Sequence, residues 1–223
     1  TAGDCDDEDP ETFPQFETWL VRQQLGSLVN GRWCPNAAAL LLHGVRPQDW
    51  LPGAWIDLVH YRGRDLDAPV VSRKRATGIL SEQLEAAWAW IEARIDDVPL
   101  PAEGMIESFA PRYPAEALRE LARNLVQHRQ YEGTNAPGRI ERYEDRLEFS
   151  NPGGPFGRAS EGEFGSQSDY RNPRLTAGLV QAGYVQQLGR GVQRARLLLQ
   201  RNGNPDISVA TNGQTRVVVR SRT

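Results

Sequence analysis

Apolar residues recur along this chain in two rhythms, one helical and one strand-like. Phe16, Trp19, Leu20 and Leu25 sit near helical spacing, and the turn-rich Asn30-Gly31-Arg32 separates them from a compact apolar run over residues 37–42. That run is strand-sized and predicts a buried strand. Residues 54–61 (AWIDLVHY), rich in β-formers and bounded by Pro52-Gly53 and Gly63, predict a second strand able to pair with the first. Leu80, Leu84, Ala87, Trp88, Ile91 and Ile95 then mark one face of an amphipathic helix that ends before Pro99 and packs on this sheet.

The pattern changes near residue 100. All six tryptophans lie at or before Trp90, and residues 99–103 form a Pro-containing break. Beyond it, Pro114 opens a strong helix running from Ala115 to about Gln130, placed where a missing N–H costs nothing. Residues 139–143 and 147–150 flank Glu144-Asp145 as a hairpin, and a Gly-rich loop covers 151–165. Helices over 175–182 and 192–200, then strands over 207–209 and 215–220 around Asn212-Gly213, complete the pattern. No internal repeat is present. The mixture predicts an α/β (α+β) two-layer sandwich of a mixed sheet and helices, with an N-terminal α/β subdomain over 13–100 and a second domain over 101–223.

Composition adds limits. With 223 residues and 39% hydrophobic content the chain can bury a sizeable core, and no apolar run approaches the roughly 20 residues of a membrane span. Residues 1–12 are acidic, lack aliphatics beyond Ala2, and are expected to be disordered. Net charge is −3, yet seven acidic residues precede the first basic one, Arg22, and without them the remainder stands at +4. Every basic residue except Lys74 is arginine, scattered without a basic run, so direct nucleic-acid binding is a minor expectation. Cys5 and Cys34 lie outside any CxxC or zinc spacing. The chain starts at Thr1 without a secretory pattern and reads as a piece of a longer cytoplasmic protein.

The chemistry begins on the helix from Ala115. Leu118, Leu121, Ala122 and Leu125 form its apolar stripe, while Glu120, Asn124 and His128 recur every four residues along one flank. A carboxylate can act as general base on water, and an amide oxygen one turn away can hold a divalent ion. Glycines follow in two places. Asn151-Pro152-Gly153-Gly154 ends a predicted strand and allows close backbone approach, and Gly189-Arg190-Gly191 opens a helix whose N–H groups can hold phosphate oxygens.

These elements resemble a family. Tyr113-Pro114 through Glu120, continuing to Asn124 and His128-Arg129-Gln130-Tyr131, is similar to a segment of bacterial putative transcriptional regulators and RecG-like ATP-dependent helicases. Residues 145–154 (DRLEFSNPGG), Arg171-Asn172-Pro173, and Gly183-Tyr184 with Gly189-Arg190-Gly191 extend the match in order, and Asn36 to Gly44 with Pro52-Gly53-Ala54 resembles the upstream region. The resemblance implies a Bergerat-type (GHKL-like, HATPase) sandwich that binds ATP, with slow hydrolysis as a second activity. It implies Glu120 as the residue acting on the attacking water and Asn124 as the magnesium ligand, with His128 in the same row. Asn151 and Gly153 would lie by the adenine, Gly154 would also contact the nucleotide, and Gly189, Arg190 and Gly191 would approach the phosphates. Such proteins usually carry an AlbA/Schlafen-like N-terminal domain, which would supply the nucleic-acid contact. A homo-oligomer is among the expected partners, and a membrane is not. The chain departs from the family at Gln130, where members tend to have Asp, and at Asn151, where better-known Bergerat ATPases have Asp.

Two other readings stay open. One is a non-catalytic dimerisation or interaction module, motivated by Gln130 and Asn151. The other takes residues 175–220 as a winged helix with Asn212-Gly213 at the wing tip. Arg171 and Arg190 are candidates to meet a γ-phosphate, and His43, His60 and His128 share no metal-ligand spacing.

Overall fold

The computed structural model describes residues 13–101, 104–185 and 189–222, with Phe13, Pro14 and Phe16 by backbone alone. The acidic leader and Leu188 lie outside the described residues. The chain opens with α1 (Phe13–Arg22), followed by a hairpin of β1 (Gly26–Val29) and β2 (Arg32–Pro35). Asn30 and Gly31 take φ of 53° and 75°, the left-handed pair that a two-residue hairpin turn demands. The turn is legible in the sequence, whereas the strands beside it are not.

The apolar run that predicts a first strand is a helix, α2 (Ala37–His43), so the expected pairing with the strand at 54–61 does not form. The reason is local. Asn36 Oδ1 accepts the Ala39 N–H at 3.1 Å and caps the helix start, and three alanines followed by three leucines favour helix once that cap is in place. Periodicity cannot decide a short run that is apolar throughout.

The main sheet has six strands in the order β4-β3-β7-β8-β10-β9. These are β3 (Ile56–Tyr61), β4 (Val70–Ala76), β7 (Gly138–Arg142), β8 (Arg146–Pro152), β9 (Ser208–Thr211) and β10 (Gln214–Arg220), while β5 (Asp97–Pro99) and β6 (Phe109–Pro111) pair separately. Only β3 and β7 run parallel, so the sheet is mixed. Helices α3 (Leu80–Glu92), α4 (Ala115–Gln127) and α6 (Gly191–Arg201) bury Leu84, Leu121, Leu125 and Leu199 against Leu58, Ile140, Phe149 and Val217 on one sheet face. The fold is a two-layer α+β sandwich, with α5 (Pro173–Gln181) beside α2.

β10 pairs with β8 through seven registered positions, from Gln214↔Pro152 to Arg220↔Arg146. The β9–β10 hairpin is therefore the sheet's edge and not a free wing, which removes the winged-helix reading of 175–220.

Candidate functional site

α4 is amphipathic because its apolar residues repeat at helical spacing, and burying Leu118, Leu121 and Leu125 turns the Glu120, Asn124 and His128 flank toward the start of α6. Those three side chains line one cavity. β8 contributes Phe149 and Asn151, β10 contributes Thr215 and Val217, the loop after β8 adds Gly154, Phe156 and Tyr170, and Gly189 and Gly191 close the other end. The cavity volume is about 110 Å³, well below the roughly 300–1,000 Å³ of a usual small-molecule site.

At the α6 end the packing is tight. Glu120 Oε1 lies 3.2 Å from Arg123 Nη1 and 3.3 Å from Arg194 Nη1, and the Glu120 side chain is 15% exposed. Gly191, the first residue of α6, backs directly onto the pair: a Cβ there would stand 3.0 Å from Glu120 Oε2 and 3.4 Å from Asn124 Nδ2. The positive end of the α6 dipole thus faces a carboxylate. Asn124 Nδ2 is buried without a hydrogen-bond partner. Turned by 180°, the same amide would present its oxygen there, so the position suits either an acceptor or a metal ion.

His128 ends α4 and stacks on Tyr170, with ring centroids 5.7 Å apart and planes 15° from parallel. Burial holds its imidazole below the ordinary histidine pKa, Arg171 pushes the same way, and Asp169 opposes them. At neutral pH the ring is an uncharged wall of the cavity.

Asn151 is buried, donates from Nδ2 to the Pro152 carbonyl at 3.3 Å, and faces Thr215 across the β8–β10 ladder. Thr215 donates from Oγ1 to the Gly153 carbonyl at 2.9 Å. Gly153 itself bends the chain behind the cavity with φ +90°, and a Cβ there would meet Gln130 Cβ at 3.0 Å. Gly154 reaches the wall, braced by Arg171 Nη2, which donates to its carbonyl at 3.0 Å. Arg190 precedes α6 as an exposed residue off the lining. Seven of the nine sequence-derived site residues therefore share one cavity, and Gly153 and Arg190 flank it.

Other motif residues turn out to be scaffold. Arg129 is 1% exposed and donates to the carbonyls of Gly53, Trp55 (3.0 Å) and Ala136 (2.8 Å). Asn172 Nδ2 donates to the carbonyls of Gln127 and Arg129, at 2.9 and 2.8 Å, and so finishes the α4 C-terminus. Sequence reasoning misses Arg123, Arg194, Thr215 and Tyr170. Arg123 is legible as the i+3 neighbour of Glu120. Arg194 gives no signal, because nothing local ties α6 to α4.

Among the described residues no three His, Cys, Asp or Glu side chains converge on a metal position. Magnesium needs no such cage, since it keeps waters and takes its other oxygens from phosphates. The orphaned Asn124 amide fits that single-ligand role.

Residues 135–219 match the family model described as "Putative ATP-dependent DNA helicase recG C-terminal". The matched stretch holds Asn151, Gly189, Gly191 and Thr215 and begins beyond α4. No curated protein matches the chain. Among solved structures, the DIP2311 protein from Corynebacterium diphtheriae superposes with a TM-score of 0.68 at 20% identity, covering 100% of this chain and 46% of that one. That likeness shows a shared fold, and this chain spans less than half the length of its structural relative. The family match and the cavity together support a HATPase-like domain in the C-terminal part of this chain.

Proposed function

We propose that this domain binds ATP with magnesium and serves as the regulatory module of a bacterial transcriptional regulator. One observation carries the nucleotide reading: a buried, unpartnered Asn124 amide faces Glu120 and the start of α6 inside a cavity whose β-sheet wall includes the apolar Phe149 and Val217. The apolar end suits a base, with Asn151 and Thr215 as its polar contacts. The α6 start, with Gly189 and Gly191, suits phosphates. Magnesium, when held by Asn124 and phosphate oxygens, would neutralise charge on the triphosphate. Arg123 and Arg194 stand ready as counter-charges, and a cavity of about 110 Å³ must widen to admit a nucleotide.

Hydrolysis is the second activity. It needs Arg194 to turn from Glu120 to the phosphates, leaving the carboxylate to orient a water and take its proton as the water oxygen bonds to the terminal phosphorus, the bond from that phosphorus to the bridging oxygen breaks, and ADP leaves. Cytoplasmic residence, a homo-oligomeric state and nucleic-acid contact through a further domain belong to the same proposal.

The test is thermal unfolding with millimolar ATP and magnesium. A ligand at 100 times its Kd stabilises by about 2.7 kcal/mol. Glu120→Ala should keep that stabilisation and lose phosphate release. No stabilisation at millimolar ATP would favour the interaction-module reading, although Asn124, Asn151 and Gly189 all line the one cavity.

A further inference from the structure

The sheet face turned away from the helices is laced with arginine in a regular way. Registered pairs carry one row straight across all six strands: Arg75 on β4, Asp57 on β3, Arg139 on β7, Ser150 on β8, Arg216 on β10 and Ala210 on β9. Arginines occupy every second strand, and the residues between them are short. With strands about 4.8 Å apart, successive guanidinium-bearing positions stand about 10 Å apart along a row of about 19 Å.

Two acidic groups of this face lie beneath the basic ones, and a third, the half-buried Glu141 beside Arg139, accepts a hydrogen bond from Tyr61. Asp57 and Glu148 are each 1% exposed. Arg73 holds Asp57 bidentately at 2.9 and 2.6 Å, and Arg146 and Arg216 hold Glu148. Arg75 and Arg139 are exposed and, among the described residues, have no carboxylate within ion-pairing distance. Arg75 lies 4.4 Å over the Trp55 ring. Two of the three α6 arginines are engaged elsewhere, Arg194 with Glu120 and Arg196 with Asp206 and Glu163, and among the described residues Arg201 stands alone at the helix end. Arg75 and Arg139, with Arg216 sharing the single charge of Glu148 with Arg146, leave uncompensated positive charge in register on this face.

We propose that this face binds the backbone of single-stranded nucleic acid, laid across the strands along the Arg75, Arg139 and Arg216 row. Guanidiniums over a floor of small side chains suit phosphates. A flat sheet offers no element to enter a duplex groove, so the binding is independent of base sequence. A basic track ending at an aromatic ring is the general design of single-strand sites.

The experiment measures fluorescence anisotropy of labelled oligothymidylate with the full chain across a salt series. Three phosphate contacts on a single strand give a slope of log K against log salt of about −2. Arg75→Glu with Arg139→Glu should weaken binding at least tenfold and reduce the slope toward about −0.7. Arg75→Lys with Arg139→Lys should retain most of the affinity, and its failure to rescue would overturn simple phosphate contact. Melting of the charge-reversed protein with and without ATP and magnesium reads the nucleotide site separately, and its stabilisation should be unchanged. No binding at about 50 mM salt, unaltered affinity after charge reversal, or equal binding of duplex DNA or polyglutamate would each overturn the proposal.

Discussion

Arg194 sets its Nη1 3.3 Å from Glu120 Oε1, so α6 is tied to α4 at the carboxylate proposed to act on water. Arg123 shares the same oxygen at 3.2 Å, which leaves Arg194 as the partner that can depart without uncovering the charge. Arg194 is 49% exposed, and an ion pair of that kind contributes up to about 1 kcal/mol. Arg194→Ala should therefore lower stability by less than about 1 kcal/mol while weakening ATP binding more than ADP binding. Calorimetric titration of both nucleotides with magnesium checks this, and equal losses would remove Arg194 from the phosphate end.

Asn124 costs the fold stability in its present state. A buried donor without a partner carries a penalty of about 1–3 kcal/mol, and an apolar group of the same shape escapes it. Asn124→Leu should leave the melting temperature unchanged or raise it, yet abolish the magnesium-dependent part of nucleotide stabilisation. A large loss of stability would instead mark the amide as structural.

Gly191→Ala separates backbone preference from site occupancy. Alanine favours a helix over glycine by up to about 1 kcal/mol, but its Cβ would press on Glu120 Oε2 at 3.0 Å and on the Asn124 amide. The carboxylate is the end of a side chain and can yield, so stability should stay within about 1 kcal/mol of the parent. Nucleotide stabilisation should fall, because the methyl group fills the space between the pair and the α6 start.

Arg129→Lys should behave in the opposite way. Three carbonyls depend on the planar guanidinium fork, and an ammonium cannot reach all of them from a site that is 1% exposed. A loss of about 3 kcal/mol in denaturant unfolding is expected. A change near zero would show that the loop at Gly53 is held by other contacts.

His128 predicts a pH dependence of stability. Its folded pKa lies below the ordinary histidine value of 6.5 because burial and Arg171 disfavour the imidazolium. Below pH 6.5 the unfolded chain takes up a proton that the folded chain refuses, so stability present above that pH is lost as pH falls toward the folded pKa. His60 is also lowered and contributes the same sign. His128→Gln should therefore flatten the decline in part; an unchanged slope would place the titration elsewhere.

Much of the fold and of the site is legible in the amino-acid pattern. The α4 flank of Glu120, Asn124 and His128 follows from a spacing of four, and the β7–β8 hairpin from strand-formers around Glu144-Asp145. The run at 37–42 is not legible. Its uniformly apolar residues carry no period, and the deciding bond runs from the Ala39 N–H to the Asn36 side chain. Gly153 shows the same limit at the site: the glycine is visible in the sequence, but only the contact with Gln130 reveals that it serves the bend behind the cavity.

The sequence by itself determined the helices with a clear period, the hairpin and the glycine positions, because spacing and turn chemistry act within a few residues. Only the tertiary structure decided that Arg194 closes on Glu120, that Gly191 backs onto Asn124, and that Arg75, Arg139 and Arg216 align across a sheet. Those relationships join residues far apart in the chain. They depend on strand order and on how α6 settles over α4, which side-chain packing sets and local pattern does not encode.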